Sequence, residues 1–483
     1  MTEKSPRRLP VRNPRTGQND YSIVAAGAGE LVPLAARLRS AQVAWSAAGV
    51  ASRSAVLKAW STQILAESGP LLDALSTDTG RHLLAGNELR ALAGMVAGNS
   101  AMAAPAFAVA SERPSLTPGI GLQTQLVPYG LVGVISPWNF PFLLSMLDTL
   151  PALLAGCAVL VKPSEVTPRF VAPLMDSLRD FPELAGVLAV VTGDGLTGSA
   201  LIELVDAVCF TGSVATGRKV GEACARRFIP AFLELGGKDP VIVLGSADPD
   251  RAAAVVLRAS VQATGQACQS LERVYVDQRI EAAFLKCLVA RAEAASLNYP
   301  DSHSGQIGPL IFTRQAEIIA AQLADAVGKG ARILTGGRVE NHGGGLWLRP
   351  TVVTGVTHAM ALMTEETFGP VMPVLSYRDT EEAVRLANDS IYGLSAAVLG
   401  EETEALAVAR RLNVGAVSIN DGGLTTEVFD AEKNAFNLSG LGASRMGPSG
   451  LLRFLRRKAL IIQHGTAKDL SSIDEKGQKG AGF

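Results

Sequence analysis

Apolar residues recur at helical spacing through the first part of the chain. From residue 30 to 67, positions such as Leu31, Leu38, Trp45, Leu57 and Ile64 predict an amphipathic helix. A second helical region is predicted at 70–110, with breaks near Gly80 and Gly86. The glycine-rich, alternating segment 116–127 predicts a strand or a hairpin.

From residue 131 onward, short apolar runs alternate with helical segments. A first set of strands is predicted at 132–135, 158–161, 187–191 and 207–210. A second set starts at 241 and continues at 333–334, 371–375, 396–398 and 415–419. This alternation implies right-handed crossovers and parallel sheets, so the predicted class is α/β. The final stretch, 465–483, predicts a loosely held tail.

The most hydrophobic stretch, 131–161, could suggest a membrane span. It contains Asn139, Asp148 and prolines at 137, 141 and 151. Such residues favour a buried strand–loop–helix–strand run over a spanning helix. No membrane partner is therefore expected.

Composition narrows the function classes. The 483 residues are 48% apolar and 18% charged with a net charge of −1, typical of a globular protein of two or three domains without a nucleic-acid surface. Five scattered cysteines without a C-x-x-C pair argue against disulfides and a zinc site, so no metal is predicted. The polar N-terminus at 1–8 lacks an apolar signal core, and a reducing, cytoplasmic location is expected.

Two strand ends could bind a dinucleotide, although the usual G-x-G-x-x-G is absent. At 210–217 a buried strand turns through Gly212 and Ser213 into a helix, which offers free N–H groups to a pyrophosphate. Lys162 and Glu165 follow another buried strand, where Glu165 could accept from ribose hydroxyls. A plain strand–helix connection, or a helix N-terminus capped by Ser164 or Glu165, is the simpler alternative.

Three further residues could perform acyl chemistry. Cys268, in Gly265-Gln266-Ala267-Cys268-Gln269-Ser270, is a candidate nucleophile, and Glu234, before Gly236-Gly237, a candidate base. Asn139, in a loop flanked by prolines, could donate to an oxyanion beside the Cys268 N–H. Each alone is more simply a buried thiol, a turn residue or a loop residue. No histidine lies in these motifs, so a depressed Cys268 pKa would require local amides or a cationic cofactor.

Taken in order along the chain, these motifs resemble those of the aldehyde dehydrogenases. The matching runs are Pro137-Trp138-Asn139-Phe140-Pro141, Lys162-Pro163-Ser164-Glu165, Phe210-Thr211-Gly212-Ser213, Glu234-Leu235-Gly236-Gly237-Lys238, Gly265-Gln266-x-Cys268 and Glu366-Thr367-Phe368-Gly369-Pro370-Val371. The resemblance spans almost the whole chain, from Asn13 to the Lys458 region.

The resemblance implies a role for each matching residue. Cys268 would be the nucleophile, Glu234 the base, Asn139 the oxyanion donor and Lys162 a fourth catalytic position. The remaining implied roles concern the cofactor, NAD or NADP. Lys162 and Glu165 would hold the adenosine ribose, Gly212 and Ser213 the pyrophosphate, Glu366 and Phe368 the nicotinamide riboside, and Trp138 would also contact the cofactor.

The resemblance also implies a domain plan. A Rossmann-like cofactor domain would comprise 1–109 and 129–234, and an α/β catalytic domain 235–445. A small β oligomerisation element would comprise 110–128 and 446–483 and build a homodimer or homotetramer. The segment 432–440 departs from the family pattern, and only Ser439-Gly440-Leu441-Gly442 survives there. Because this segment lines the substrate mouth in relatives, no familiar member's substrate can be transferred.

The expected activity is hydrolytic oxidation of an aldehyde to the acid, with NAD favoured because the Glu165 carboxylate would repel a 2′-phosphate. Glu234 argues against a CoA-acylating semialdehyde dehydrogenase, and the intact motifs argue against a silent binding homologue. A general cysteine hydrolase would need no cofactor, so the predicted ribose and nicotinamide positions argue against that class.

The substrate is predicted from the helix that follows Asn139. Its apolar residues, Phe140, Phe142, Leu143, Leu144 and Leu147, favour an apolar, aromatic or medium-chain aldehyde. Packing of these residues against the sheet is the equal alternative, and succinate semialdehyde is the rival substrate.

Overall fold

The computed structural model describes residues 7–109 and 111–473. The expectations for the polar N-terminus at 1–8 and for the tail at 465–483 lie partly outside the described residues, at 1–6 and 474–483; the described part of the tail, 465–473, is exposed. Within the described chain, no helix is both long and apolar enough to cross a membrane.

The N-terminal part forms a hairpin and a layer of helices. Its elements are β1 (Arg8–Arg12), β2 (Asn19–Val24), α1 (Ala28–Ala47), α2 (Gly49–Ala66), α3 (Gly69–Thr79) and α4 (His82–Ala106). The single helix predicted at 30–67 is wrong, because Gly49 adopts a left-handed φ of 81° and separates two helices. The break at Gly80 is confirmed. The break at Gly86 is wrong, since this buried glycine continues inside α4.

A short strand and a long strand lead into the first αβ run. They are β3 (Arg113–Pro114) and β4 (Ile120–Pro128). The run comprises β5 (Leu131–Ile135), α5 (Pro141–Ala155), β6 (Ala158–Lys162), α6 (Val171–Asp176), α7 (Pro182–Val187), β7 (Leu188–Val190), α8 (Gly195–Ile202), β8 (Ala207–Thr211), α9 (Val214–Arg226) and β9 (Ala231–Glu234). The predicted strand–loop–helix–strand at 131–161 is thus confirmed.

The second αβ run is longer and contains its own hairpin. It comprises β10 (Asp239–Val243), α10 (Pro249–Val261), β11 (Leu271–Asp277), α11 (Glu281–Ala294), α12 (Thr313–Gly328), β12 (Arg332–Thr335), β13 (Val339–His342), β14 (Gly345–Leu348), β15 (Thr351–Thr354), α13 (Ala361–Thr364), β16 (Val371–Tyr377), α14 (Thr380–Asn388), β17 (Ser395–Leu399), α15 (Glu402–Ala409), β18 (Ala416–Ile419) and α16 (Leu424–Glu427). The chain then returns to the first run through β19 (Gly440–Leu441), α17 (Gly447–Leu452) and β20 (Leu455–Gln463).

Apart from the two-stranded hairpins β1-β2 and β13-β14, the strands of the described chain form two large sheets and one small one. The first sheet has the order β19-β9-β8-β5-β6-β7, parallel except for β19, and the second has the order β12-β15-β16-β11-β10-β17-β18, parallel except for β12. A separate antiparallel sheet joins β20, β4 and β3. The predicted α/β class with parallel sheets and a small β element is confirmed.

Each large sheet has its own buried core. The first core combines strands β5 to β8 with α1 to α5 and includes Leu451 and Phe454 from the C-terminal return. Two further apolar clusters cover the faces of the second sheet. The C-terminal segment therefore contributes to the first core and brings its charged residues beneath the site described next.

Candidate active site

The predicted cofactor residues meet at one edge of the first sheet. Strand β5 lies between β6 and β8, so the chain order reverses at β5. Trp138 and Asn139 follow β5, Lys162 ends β6, and Gly212 and Ser213 follow β8. In open parallel sheets, the crevice at the carboxyl ends of the strands where the order reverses is the usual ligand site.

The groups at this edge fit a dinucleotide. Ser213 is the N-cap of the 13-residue α9, where its hydroxyl accepts from the N–H of Thr216 at 3.3 Å. A Cβ on Gly212 would lie 2.6 Å from the Phe210 ring, so a larger residue here would require that ring to move. The buried Lys162 ammonium lies 3.4 Å from the Glu165 carboxylate, which is 42% exposed and free to accept other donors. A helix N-terminus, a cation and an exposed acceptor are what a pyrophosphate and a ribose require.

The alternative that residues 162–165 form a helix N-terminus capped by Ser164 or Glu165 is wrong. No helix begins there, since α6 starts only at Val171. Ser164 instead accepts from the N–H of Val166 at 3.2 Å, which makes a local turn. The segment therefore leaves its polar groups at the sheet edge.

An unusual backbone turn delivers Cys268. Helix α10 ends at Val261, and Ala263, Thr264 and Gly265 follow with left-handed φ values of 54°, 61° and 68°. Two of these residues carry a Cβ, which costs energy in this conformation. A Cβ on Gly265 would lie 2.3 Å from the Gly369 backbone. The turn is thus packed directly against the segment that carries Glu366 and Phe368.

Asn139 is bonded to the same turn. Its buried side-chain amide donates to the Gln266 carbonyl at 2.9 Å. One of the two amide hydrogens is thereby used, and the second is available for another acceptor. Because Gln266 precedes Cys268 by two residues, this bond fixes the amide beside the candidate nucleophile.

Glu234 is positioned by the C-terminal return of the chain. It ends β9, where Gly440 of β19 pairs opposite it. The Ser439 carbonyl accepts from the Leu235 N–H at 2.8 Å, and the Ser439 hydroxyl donates to the Gly236 carbonyl at 2.8 Å. The surviving Ser439-Gly440 dipeptide thus builds the turn that carries Glu234.

The two glycines after Glu234 permit close approaches. A Cβ on Gly236 would lie 2.5 Å from the Glu366 carboxylate, and one on Gly237 would lie 2.6 Å from the Cys268 carbonyl oxygen. Glu366 also accepts from the Gly237 N–H at 3.1 Å. The structure therefore brings Cys268, Glu234, Asn139 and Glu366 into one site.

The charge around Cys268 differs from the expectation of a depressed pKa. Burial, together with the carboxylates of Asp239, Glu366 and Glu234, raises the pKa of the thiol to about 12 against the opposing effect of Arg445. The local amides therefore do not depress the thiol pKa, and the effect of a cationic cofactor on it stays a prediction. Cys268 is a thiol at neutral pH and needs a base to become a nucleophile.

A buried ion cluster lies beneath Glu234. Asp148 of α5 accepts from Arg445 Nε at 3.1 Å and also from Arg453, and all three are buried. Arg445 also bonds Thr211, which pairs in register with Glu234 on the adjacent strand, so both side chains lie on the same face of the sheet. Burial raises the pKa of Glu234, while Arg445 and Arg453 oppose the rise.

A second buried ion pair fixes the segment that carries Glu366 and Phe368. The Lys238 ammonium lies 2.8 Å from the Glu272 carboxylate, which also accepts from the N–H groups of Thr367 and Phe368, both at 2.7 Å. Phe368, at a φ of 51°, packs edge-on against Trp138 with ring centroids 5.3 Å apart. Glu272 was not predicted as a site residue, because in the sequence it is only a charged residue within an apolar run.

Lys433 lies in the divergent segment 432–440 and was not predicted as a site residue. Its ammonium donates to the Thr425 carbonyl at 2.6 Å and lies 3.4 Å from the side-chain oxygen of Gln269, next to Cys268. Burial lowers the pKa of Lys433, while the charges of Glu234 and Cys268 oppose this. Within the described chain, no carboxylate lies within 4.0 Å of this ammonium.

The apolar residues of α5, the helix after Asn139, lie in two different environments. Phe142 is fully buried and packs edge-on against Phe170 at 6.2 Å between ring centroids, and Leu147 belongs to the same core. For these two residues the packing alternative is correct. Leu143 and Leu144 are only partly buried and remain candidates to contact a substrate.

The chain is similar to known proteins over most of its length. A family model described as the aldehyde dehydrogenase family matches residues 1–460. A Mycolicibacterium smegmatis protein provisionally named as an NADP+ succinate-semialdehyde dehydrogenase is 34% identical over 450 residues, covering 92% of this chain and 87% of that protein. The 4,4'-diapolycopene aldehyde oxidase of a Methylomonas species is 41% identical over 320 residues, covering 64% of this chain and 58% of that protein.

A solved structure extends the similarity to the whole fold. A protein of Anabaena variabilis, provisionally named the aldehyde dehydrogenase PutA, superposes with a TM-score of 0.94. It is 53% identical, and the match covers 96% of this chain and 99% of that one.

Proposed function

The chain belongs to the aldehyde dehydrogenase family, and on this basis we propose that Cys268, Glu234, Asn139 and Lys162 perform its chemistry. The enzyme is an NAD(P)-dependent aldehyde dehydrogenase. The proposal is supported chiefly by the Asn139 amide, which lies 2.9 Å from the Gln266 carbonyl and so beside Cys268.

The first half of the reaction forms a bond to sulfur. Cys268 loses its proton to a water molecule, and the sulfur attacks the aldehyde carbon to give a tetrahedral adduct. The second amide hydrogen of Asn139 and the Cys268 N–H bind the developing oxyanion. When bound, NAD(P)+ accepts the hydride from this carbon, which leaves a thioester on Cys268.

The second half releases the acid. Glu234 takes a proton from a water molecule, whose oxygen attacks the thioester carbon. Asn139 stabilises the second tetrahedral adduct, and its collapse returns the sulfur to Cys268 and frees the acid. The raised pKa of Glu234 suits this role, because a base with a pKa nearer neutrality can both accept and return protons.

The cofactor would lie along the switch point of the first sheet. Lys162 and Glu165 would bind the adenosine ribose, and Gly212 and Ser213 the pyrophosphate. The remaining contacts would be with the nicotinamide end, at Trp138, Glu366 and Phe368. We favour NAD over NADP because the Glu165 carboxylate would repel a 2′-phosphate.

The proposed domain plan follows the two sheets. Segments 1–109 and 129–234 would form the cofactor domain and 235–445 the catalytic domain. The hairpin at 110–128, with 446–483, would join copies of the chain into a dimer or tetramer. The exposed Ile461 on β20 supports this, since 71% of its surface faces solvent.

An apolar aldehyde is the first candidate substrate. Leu143 and Leu144 are partly buried one turn after Asn139, where they could contact an apolar chain. The similarity to a diapolycopene aldehyde oxidase is consistent with this choice. Aliphatic, aromatic and carboxylated aldehydes should be screened by NADH absorbance. Absence of NADH and acid with every aldehyde would contradict the proposed activity itself.

A semialdehyde is the second candidate, because Lys433 lies beside the site and none of the described carboxylates lies within 4.0 Å of its ammonium. A substrate carboxylate would supply such a partner. Succinate semialdehyde and the uncharged butanal form a suitable pair, measured with the wild type, Lys433→Met and Lys433→Arg. If Lys433 binds the substrate, Lys433→Met should raise KM for the semialdehyde about tenfold or more and leave butanal unchanged. Equal effects on both aldehydes would leave only the apolar candidate.

A further inference from the structure

We propose that Arg81 is a positioning residue for the oxyanion site, which holds the Asn139 loop and the Cys268 turn in a fixed relation. This proposal rests on the proposed function, since it assigns Asn139 and Cys268 their roles. Arg81 lies between α3 and α4, far in sequence from both segments that it joins.

The guanidinium of Arg81 bonds one carbonyl in each segment. One terminal nitrogen donates to the Asn139 carbonyl, and the other donates to the Ala263 carbonyl at 3.1 Å. The guanidinium also lies over the Phe140 ring, 5.3 Å from its centroid. Arg81 is only 5% exposed, so solvent does not compete for these contacts.

These bonds close a ring of contacts around the oxyanion position. Asn139 donates from its side chain to the Gln266 carbonyl, and the Gln266 side chain donates to the Ala263 carbonyl at 3.2 Å. Arg81 completes the ring, because it binds both Asn139 and Ala263. The ring therefore contains the residue that supplies the side-chain donor and the turn that delivers the nucleophile.

The ring acts on a strained part of the chain. Ala263 opens the run of three left-handed residues, and a non-glycine residue persists in this conformation only when its surroundings enforce it. Gly80, which precedes Arg81, is also left-handed, and a Cβ there would lie 2.3 Å from Pro309. Arg81 is thus itself fixed in place by close packing.

Ion pairing does not account for this buried cation. Among residues 7–109 and 111–473, no carboxylate lies within 4.0 Å of the Arg81 guanidinium. Glu88, on α4, accepts instead from the N–H groups of Phe142 at 3.1 Å and Leu143 at 3.0 Å. A buried charge is costly, and here its hydrogen bonds go to the two segments of the site.

The test compares Arg81→Met and Arg81→Lys with the wild type. The readouts are the NADH burst rate, the Kd of NAD+ and cofactor-free hydrolysis of 4-nitrophenyl acetate, which uses the nucleophile and the oxyanion donors alone. Arg81→Met should lower burst and ester hydrolysis by about 100-fold, the usual effect of losing an oxyanion donor, and change the Kd of NAD+ less than about threefold. Arg81→Lys keeps the charge, so its burst and ester hydrolysis rates should be about tenfold higher than those of Arg81→Met and still below those of the wild type.

Arg53→Met is the matched control. Arg53 is also buried, and within the part of the chain that the structure describes it donates only to the backbone carbonyls of Trp45, Ser46 and Leu154, away from the site. Its loss should lower stability and leave the burst rate of the folded enzyme unchanged.

Equal burst rates for folded Arg81→Met and Arg53→Met would overturn the proposal. If Arg81→Met does not fold, a wild-type burst rate in folded Arg81→Lys would overturn it as well. Absence of a burst in the wild type would instead contradict the proposed function.

Discussion

The carboxylate of Glu366 accepts a hydrogen bond from the backbone N–H of Gly237, 3.1 Å away. Burial, together with the nearby Glu272 charge, raises the pKa of Glu366 to about 8. Below that pH the group is mostly protonated and is a poorer acceptor for ribose hydroxyls. The residue proposed to bind the cofactor's nicotinamide end is therefore only partly in its binding form at neutral pH.

Cofactor affinity should consequently rise with pH. Between about pH 7 and 9 the fraction of ionised Glu366 grows from roughly a tenth to nine tenths, so the Kd of NAD+ should fall roughly ninefold. Fluorescence titration of NAD+ at several pH values measures this. Glu366→Gln should bind more weakly and show a flat profile. A wild-type slope that persists in this variant would mean that another group titrates.

Substitution of the two acyl-chemistry residues should separate the half-reactions. Cys268→Ala should abolish turnover, because no thioester can form. Glu234→Gln should stall after formation of the acyl enzyme, with slow acid release. Stopped-flow NADH absorbance and acid analysis measure both. Cys287→Ala replaces another half-buried cysteine, on α11, and should retain full activity. Full activity of Cys268→Ala would refute the covalent mechanism.

A methyl group on Gly237 should damage the site selectively. Its Cβ would lie 2.6 Å from the Cys268 carbonyl oxygen, so the turn would have to move. Displacement of a reacting group by about 1 Å can cost roughly 100-fold, and kcat of Gly237→Ala should fall by that order. Gly94→Ala, inside α4 with open space around it, should keep kcat and gain about 0.5–1 kcal/mol of stability. Equal kcat for both variants would contradict this.

Loss of Asp148 should destabilise the protein. Burial alone would raise the pKa of Asp148, but Arg445 and Arg453 outweigh it and hold the pKa below its usual value. The ionised Asp148 carboxylate therefore adds to the free energy of unfolding above about pH 4, and this stabilisation is lost as the pH falls. Asp148→Asn leaves two buried arginines without their shared anion and should lower the free energy of unfolding by about 3–5 kcal/mol.

Denaturant titration at neutral and acidic pH measures this effect. The exposed pair of Asp176 with Arg179 supplies the control, because Asp176→Asn should cost less than about 1 kcal/mol. A similar small loss for Asp148→Asn would show that the buried cluster contributes little.

The choice between NAD and NADP should depend on Glu165. Its carboxylate lies 3.4 Å from the Lys162 ammonium, so Glu165→Gln both removes a negative charge and frees a cation for a 2′-phosphate. The ratio of kcat/KM for NADP+ to that for NAD+ should rise about tenfold or more. Steady-state kinetics with both cofactors measures this ratio. An unchanged ratio would mean that residues other than Glu165 distinguish NAD+ from NADP+.

The sequence predicted the regular parts of the fold well. Four strands of the first sheet, β5 to β8, were predicted because each is buried on both faces and so forms a continuous apolar run, whereas β9 and β19, which are only partly buried, were not predicted. Strand β11 was missed because Glu272 and Arg273 interrupt its pattern. Both are nevertheless buried, one in the ion pair with Lys238 and the other on backbone carbonyls such as that of Ala387.

The site was predicted where its residues belong to compact motifs, and missed where a partner is remote in sequence. Cys268, Glu234 and Asn139 lie in such motifs, and the structure brings them together. Arg81 and Asp148 do not, because their partners lie 182 and 297 residues away. No local pattern of polar and apolar residues encodes contacts of that separation.

The fastening of Ser439 and Gly440 to the Glu234 turn has an evolutionary consequence. The residues just before this dipeptide, Asn434 and Phe436, are exposed and can be exchanged without moving the base. Substitutions at these exposed positions are therefore expected to change the surface upstream of the pair while the Glu234 carboxylate keeps its position. Variation among related enzymes is expected to be greater at these positions than at Ser439 and Gly440.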